Sequence, residues 1–590
     1  MSNAITKPMS QTGADLLVKS LESQGVEYVF GLPGGKIDTV FDTLVDSRIK
    51  TIVCQQEQSA AFMAGAIGRM TGKAGVALVT FSSSWSNLLA GVATTNSEGD
   101  PIVAIGGAVP VANRLKLIHR SIDTVSLFRP ITKYSVEIDA AAAISKTVAN
   151  AFRAAESGRP GAAFISAPQD IMTGGANGEV LTPVAPPLLG PAASDLTTAT
   201  AAVISRAERP VMLLGLLASQ SRAAEAVRTF LTKTKIPVVC TSKGAGIVPR
   251  ELFDYFGGHV GLFHNQPADK LLEAADVVIA VGYNPVEYEP GLWNKGRKRL
   301  LIHIDAVSVE IDEDYRPQLE LIGDIASTLS ALGSEVERQM PCSDGSLLAE
   351  ISRERRRFAA RAADFNGIPI HPIRLVHELQ QLLSDDITLC LDTRSFHIWL
   401  ARHLYSFRAR QVLINNGQKS LGVGLPWGIA ACLVRPREKV ISMSDEGSFV
   451  FSAGELETAV RLKCNLVHLV WTDPSYHMMR FQEVARHRRI SGDDFRTTDI
   501  VRFAKALGAH GVRIESAEQL GPTLKRALEM QGPLVIEIPV DYRHSQKLMK
   551  MVSPKVLNCE PLTQTCHSSS MDPGCLNFVG QQCVSALTQN

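Results

Sequence analysis

The stretch from Lys439 to Gln482, KVISMSDEGSFVFSAGELETAVRLKCNLVHLVWTDPSYHMMRFQ, leaves a chain few folds to choose from. VIS and LVHLVW are short apolar runs of the kind that form buried strands. Between them, SAGELETAVRLK carries apolar residues at helical spacing. In such a βαβ unit both strands run parallel, so the turns leaving their C-terminal ends lie side by side at one edge of a sheet.

Both turns are acidic: Asp445-Glu446-Gly447-Ser448 after the first strand, Asp473-Pro474-Ser475 after the second. The carboxylates of Glu446 and Asp473, 27 positions apart, are placed to share one hard cation, with a backbone carbonyl as a third oxygen ligand. A helix N-terminus opening after the first turn would welcome a phosphate beside that cation. The same acids also suit helix caps and turns, and from these residues alone the two readings stand level.

A chain of 590 residues exceeds one core and predicts three or four domains. With 20% charged residues and a net charge of +1, nothing points to nucleic acid or an anionic membrane as partner. Ten cysteines in this length are no disulfide framework; Cys54, Cys240, Cys390, Cys432 and Cys464 sit in or beside apolar runs and read as buried thiols. The N-terminus lacks an apolar signal core and no window reaches membrane-spanning length, so a soluble, cytoplasmic protein is expected.

Helix and strand patterns alternate from Thr12 to about Pro168, placing a first doubly wound α/β domain over 1–175. GADLLVKSLESQG reads as an amphipathic helix ending at a glycine, VEYVFGLPGGK as a strand entering a glycine-rich turn, and TIVCQQEQSAAFMAGAIGRMTG as strand, acid and helix. The Gly- and Pro-rich segment 173–192 is an interdomain linker. A second α/β domain, 193–340, has strands at RPVMLLG, IPVVCT, ADVVIAVGYNP and RLLIHIDA. The basic run RERRRFAARAADF reads as a crossing helix with its charges in solvent. The third domain, 365–545, holds the opening stretch together with strands at DITLCLDT, QVLINNG and GPLVIEIPV. The remainder, 546–590, reads as a disordered tail; its Cys559, Cys566, Cys575 and Cys583 lack the paired spacing of a metal site.

Three α/β blocks, an acid after a strand in the first and an acidic phosphate-type turn in the third, resemble the thiamine diphosphate enzymes. Within that family the chain is similar to the bacterial catabolic acetolactate synthases, which work without flavin. The matching runs include GLPGGKID, EQSAAFMAGAIGR, NSEGDPIVAIGGAV, GLFHNQPAD, GYNPVEYEPGLWN, SFHIWLARHLYSFRARQV, GLPWGIAA, FSAGELETAVRLK and IPVDYR, spread over roughly residues 12 to 545. The resemblance implies pyrimidine-binding, central and diphosphate-binding domains, with thiamine diphosphate and Mg²⁺ held between two subunits of a homodimer or homotetramer. It implies a carboligase, a transferase or lyase acting on pyruvate or a related 2-oxo acid. The cofactor serves as electron sink for decarboxylation, and the enamine so formed attacks a second pyruvate.

On this resemblance Glu57 is the glutamate that hydrogen-bonds the pyrimidine N1′, and Lys36 in GGKID lies near the substrate. Glu446 and Asp473 are the side-chain metal ligands and Ser475 the backbone-carbonyl ligand. Leu421 props the cofactor into its bent shape, and Gly417 and Gln418 lie by the pyrimidine. Ser395, Phe396, Asp445, Gly447, Ser448 and Tyr476 complete the cofactor contacts.

The departures from the pattern cluster at the cofactor. Asp445-Glu446-Gly447-Ser448 stands in place of Gly-Asp-Gly-Gly: Glu446 carries its carboxylate one methylene further out, and Asp445 adds negative charge where backbone should approach a diphosphate. Arg394, where a glycine is usual, offsets Asp445 by contacting phosphate or by pairing with it. Phe81-Ser82-Ser83-Ser84-Trp85 replaces Ser-Gly-Pro-Gly and brings bulk into a tight place. Gln55-Gln56 replaces Arg-His, and Arg120 replaces a glutamine between His119 and Asp123. Two functions fit: a carboligase with a modified pocket, or a cofactor-deficient homologue acting as a non-catalytic subunit or in a cofactor-independent reaction.

Overall fold

A computed structural model describes residues 11–544 apart from 81–82, 115, 117–121, 188, 262–263, 265, 297–298, 338–344, 474–488 and 490–497. Three six-stranded sheets, each wholly parallel, carry the fold. The first contains β1 (Tyr28–Leu32), β2 (Lys50–Val53), β3 (Gly75–Val79), β4 (Ile102–Ala108), β5 (Tyr134–Glu137) and β6 (Ala162–Pro168). The second contains β7 (Pro210–Leu214), β8 (Val238–Thr241), β9 (Phe256–Val260), β10 (Val277–Val281), β11 (Leu300–Asp305) and β12 (Leu319–Ile322). The third contains β13 (Ile387–Leu391), β14 (Val412–Ile414), β15 (Lys439–Asp445), β16 (Leu466–Thr472), β17 (His510–Arg513) and β18 (Leu534–Pro539).

The first sheet runs β2-β1-β3-β4-β6-β5 and the third β14-β13-β15-β16-β18-β17, which is the same order counted from each domain's first strand. The second runs β12-β11-β10-β7-β8-β9, the doubly wound 3-2-1-4-5-6 arrangement. Inner strands such as β3, β4, β7 and β13 are buried along their whole length, as a sheet covered on both faces requires. The strands the sequence did not announce are weaker in pattern: β5 and β17 are exposed or half-buried edges, β9 (FGGHV) holds two glycines, β12 has four residues and β6 is alanine-rich.

Local chemistry sets the element ends. Thr12 and Asp15 form a reciprocal capping box at the start of the helix Gly13–Ser23, and Gly72, at φ 77°, closes the helix Glu57–Thr71 in the left-handed region. Among the described residues no helix or strand intervenes between Thr173 and the helix starting at Ser194.

Two helices are apolar on nearly every face: Glu57–Thr71 of the first domain and Gly424–Val434 of the third. A helix without a polar face must be buried on all sides, and these two pack against each other between the first and third sheets. One core cluster therefore spans both domains, with Phe62, Trp85, Leu425, Trp427 and Phe449 in it. This packing sets the end of β2 against Glu455 and Arg461 of the third domain, and the end of β14 against Arg69 and Glu98 of the first.

Two expectations are corrected. The helix expected from SAGELETAVRLK begins earlier, at Glu446, and comes in two pieces, Glu446–Ser452 and Glu455–Arg461. In the basic crossing helix, now Gly345–Ala362, Arg355 does not face solvent: its guanidinium lies over the rings of Phe253 (4.5 Å) and Tyr405 (5.5 Å) and donates to the Phe256 carbonyl. The five expected thiols are free and buried, and burial pushes Cys390 up to about 12. Among the described residues no helix is long and apolar enough to cross a membrane.

Candidate active site

In the third sheet β15 and β16 run side by side with Asp445 opposite Trp471, so the two acidic turns leave the same edge as expected. A third acid, Asp392, follows β13 at that edge. Its oxygens accept from the Thr393 and Gly424 amides at 2.9 and 3.3 Å, and burial, with the Asp445 charge adding, pushes its pKa up to about 7. The sequence signal that singled out the other acids, a carboxylate ending a buried strand, also marks Asp392.

Asp445 is the N-cap of the helix Glu446–Ser452. One carboxylate oxygen accepts the Ser448 N–H at 2.8 Å and the other lies 3.2 Å from Arg394 Nε, which also reaches the Ser448 hydroxyl at 3.3 Å. Arg394 thus pairs with Asp445, and the Ser448 amide is already engaged. Burial raises the Asp445 pKa, opposed by Arg394. Glu446 accepts the Thr498 N–H at 2.7 Å; burial raises its pKa, and the Glu537 and Asp445 charges add to that. Gly447 lies in the same first helical turn, and Asp473 sits just beyond β16, half-buried. Ser475 and Tyr476, like His119 and Arg120, lie outside the described residues.

Other expected contacts divide. Ser395 opens the helix Ser395–His403, but the Phe396 ring is wholly buried, 5.4 Å from the Trp471 ring, and fills the third domain's core. Leu421 is half-buried before Gly422, Gln418 is exposed, and Gly417 is pressed so closely on the first domain that a Cβ there would come 2.3 Å from Ser97 Oγ.

In the first domain Glu57 is the first residue of its helix, 9% exposed, and is not the cap: Gln56 is, without a side-chain bond. Its carboxylate accepts from Ser84 Oγ at 2.6 Å and Asn87 Nδ2 at 3.0 Å. Neither partner was anticipated. The serine loop supplies one of them; Trp85 is buried in the core against Gly106, and Phe81 and Ser82 lie outside the described residues. Lys36 donates to Gln169 Oε1 at 2.7 Å, and Asp123 caps a short helix through the Ser126 amide. Gln55 and Gln56 face the third domain, donating their amides to Glu455 Oε1 at 2.9 and 3.1 Å.

The donor set suits a hard cation, with the Glu446 and Asp473 oxygens at the ends of adjacent strands. It also suits a pyrimidine, with a buried carboxylate at Glu57 and a tight glycine turn at Gly417. Arg394 is a cation for a diphosphate. Asp445 is at variance, because its carboxylate already caps the helix an incoming phosphate would meet.

Comparison with known proteins agrees with this arrangement of domains. Residues 11–127 match the thiamine pyrophosphate enzyme N-terminal TPP binding domain, 197–332 the central domain and 392–538 the C-terminal TPP binding domain. The chain is 49% identical over 539 residues to a catabolic acetolactate synthase of Raoultella terrigena, covering 91% of this chain and 96% of that protein. It is 45% identical over 544 residues to an acetolactate synthase of Bacillus subtilis (92% and 95% covered). With the large subunit of Escherichia coli acetolactate synthase isozyme 2 it shares 28% over 559 residues. The chain belongs to the thiamine pyrophosphate enzymes, as an acetolactate synthase-like member.

Proposed function

We propose that this protein is a carboligase that decarboxylates pyruvate or a related 2-oxo acid and joins the two-carbon unit to a second 2-oxo acid, using thiamine diphosphate and Mg²⁺ in a modified pocket. The observation that carries this reading is 49% identity to a catabolic acetolactate synthase along nearly the full length of both chains. When bound, thiamine diphosphate supplies the electron sink for decarboxylation.

In this reading Glu446, Asp473 and the Ser475 carbonyl hold the cation, and Arg394 meets the diphosphate after releasing Asp445. Glu57 shares a proton with the pyrimidine, its orientation fixed by Ser84 and Asn87. Gly417, Gln418 and Leu421 shape the pyrimidine side, and Lys36 orients the substrate. The working units are 1–175, 193–340 and 365–545 of a cytoplasmic homodimer or homotetramer with shared sites. Two observations support sharing. Among the described residues no hydrogen bond or ion pair links Glu57 to the acids after β15 and β16. Val450 and Phe451, beside Glu446, are also more than half exposed.

Asp445 favours a second reading, a cofactor-deficient homologue, because its carboxylate sits at the helix end a phosphate needs. Calorimetric titration with thiamine diphosphate and Mg²⁺, followed by assay of CO₂ and acetolactate from pyruvate, separates the two. Binding heat and product are expected; no heat at millimolar cofactor would leave the second reading standing. Asp445→Gly combined with Glu446→Asp is expected to tighten binding.

A further inference from the structure

The junction of the first and third domains holds two buried glutamates in matching positions. Glu98, at the end of the helix Ser83–Glu98 in the first domain, is wholly buried, and its Oε1 accepts two successive backbone N–H groups of the third domain, Asn416 (3.0 Å) and Gly417. Glu455 in the third domain is 1% exposed, and its Oε1 accepts two successive N–H groups of the first, Gln55 and Gln56. Each carboxylate sits on a segment that follows its domain's third strand, and each grips the turn after the other domain's second strand, β14 or β2. The gripped turns are the ones that carry Gly417-Gln418 and Glu57.

We propose that Glu98 and Glu455 are reciprocal positioning residues, each fixing the turn through which the other domain meets the cofactor's pyrimidine; this rests on the function proposed above. A buried carboxylate that spends one oxygen on two adjacent amides fixes the direction of that peptide segment and not merely its location. The turn after β14 is held from every side. Glu98 Oε2 lies 2.8 Å from Arg69 Nη2 and 3.1 Å from Lys243 Nζ of the central domain. Arg69 Nη1 donates to the Ile414 carbonyl at 2.8 Å, and Asn416 Nδ2 donates to the central-domain Glu287 carbonyl at 3.0 Å. Thr94 and Ser420 hydroxyls meet at 2.7 Å. All three domains therefore set this turn. The turn after β2 has its own set of contacts: Glu455 Oε2 accepts the Thr458 hydroxyl at 2.8 Å, Gln55 Nε2 donates to Glu457 Oε2 at 2.8 Å, and the Arg461 guanidinium adds a bond to the Val53 carbonyl.

The test compares Glu98→Gln and Glu455→Gln by backbone amide hydrogen exchange on the cofactor-free protein, then by thiamine diphosphate titration. Glu98→Gln is expected to speed exchange at 416–417 by roughly tenfold, the order set by weakening a charge-assisted hydrogen bond, with 55–56 unchanged. Glu455→Gln is expected to do the reverse, and both variants to weaken cofactor binding by a similar factor. Exchange unchanged at the gripped amides, or faster throughout all three domains, overturns the clamps. Local exchange faster but cofactor affinity unchanged overturns their link to the pyrimidine. If Glu98→Gln fails to fold, Glu455→Gln alone decides, since no cation lies within bonding distance of its carboxylate among the described residues. Absence of binding by the unmodified protein sinks the proposed function instead and leaves the exchange result to judge the clamps.

Discussion

In the first domain the turn after β2 presents Glu57; in the third, the turn after the corresponding strand, β14, presents Gly417 and Gln418. The turn after β3 presents serines, whereas the turn after its counterpart β15 presents Asp445 and Glu446. One topology, used twice, thus delivers a single carboxylate held by neutral donors in one copy. In the other it gathers several carboxylates, of which Asp445 is paired with an arginine. The difference teaches that strand order fixes where a turn lies, while the charge of the few residues in it fixes what that turn can bind.

The sharpest break of the comparison is Glu57→Gln. If Glu57 is the one acid–base group of the first domain, carboligation should fall by about 10²- to 10⁴-fold with unfolding temperature unchanged, while Gln418→Ala in the matching turn should cost under about tenfold. Equal losses in the two would erase the distinction. Next in size is Arg69→Met, which leaves Glu98 and Asp100 buried beside too little positive charge. Urea unfolding should show about 3–5 kcal/mol of lost stability, and a loss below about 1 kcal/mol would show that the junction tolerates uncompensated acids.

Smaller effects are expected at the third domain's own turn. Asp445→Gly removes a cap and a partner of Arg394, so the cofactor-free protein should lose only up to about 1 kcal/mol. Pyrophosphate affinity, read by calorimetry, should rise, and Arg394→Ala should lower it. Weaker pyrophosphate binding in Asp445→Gly would mean that Asp445 supports the anion site.

The smallest effect is a pair of opposite pH slopes. For Glu98, burial raises the pKa but Lys243 and Arg69 outweigh it, holding it down at about 2. Its contribution to stability is present above the unfolded value near 4.5 and is lost as pH falls towards 2. For Glu455 burial wins and the pKa is raised, so stability is greatest below the unfolded value and declines as pH rises through the folded one. Glu98→Gln should flatten the acid limb of a urea-midpoint profile, and Glu455→Gln should lessen the fall in stability above the unfolded carboxylate value. Asp305 and Asp392, both pushed up to about 7 by burial, contribute to that fall near neutral pH.

Much of the fold could be read from residues alone because parallel strands buried on both faces leave continuous apolar runs, as in β4, β10 and β16. Edge strands such as β5 and β17 leave no such run, since no residue of either is fully buried. The acids after β15 and β16 were readable for the same reason: a charge directly after a buried strand can only lie at the sheet's edge. The burial of Phe396 was not readable, because a ring next to a functional turn and a ring in the core look identical in sequence.

The sequence by itself determined the three α/β domains, the family, and the candidates Glu57, Glu446 and Asp473, because each depends on local pattern or on matched runs. Only the tertiary structure decided the partners. Ser84 and Asn87 on Glu57, Arg394 on Asp445, and Glu98 and Glu455 across the domain junction are contacts between segments from 27 to 400 positions apart. A buried carboxylate takes its role from whichever donors the packed core turns towards it, and no local pattern records that choice.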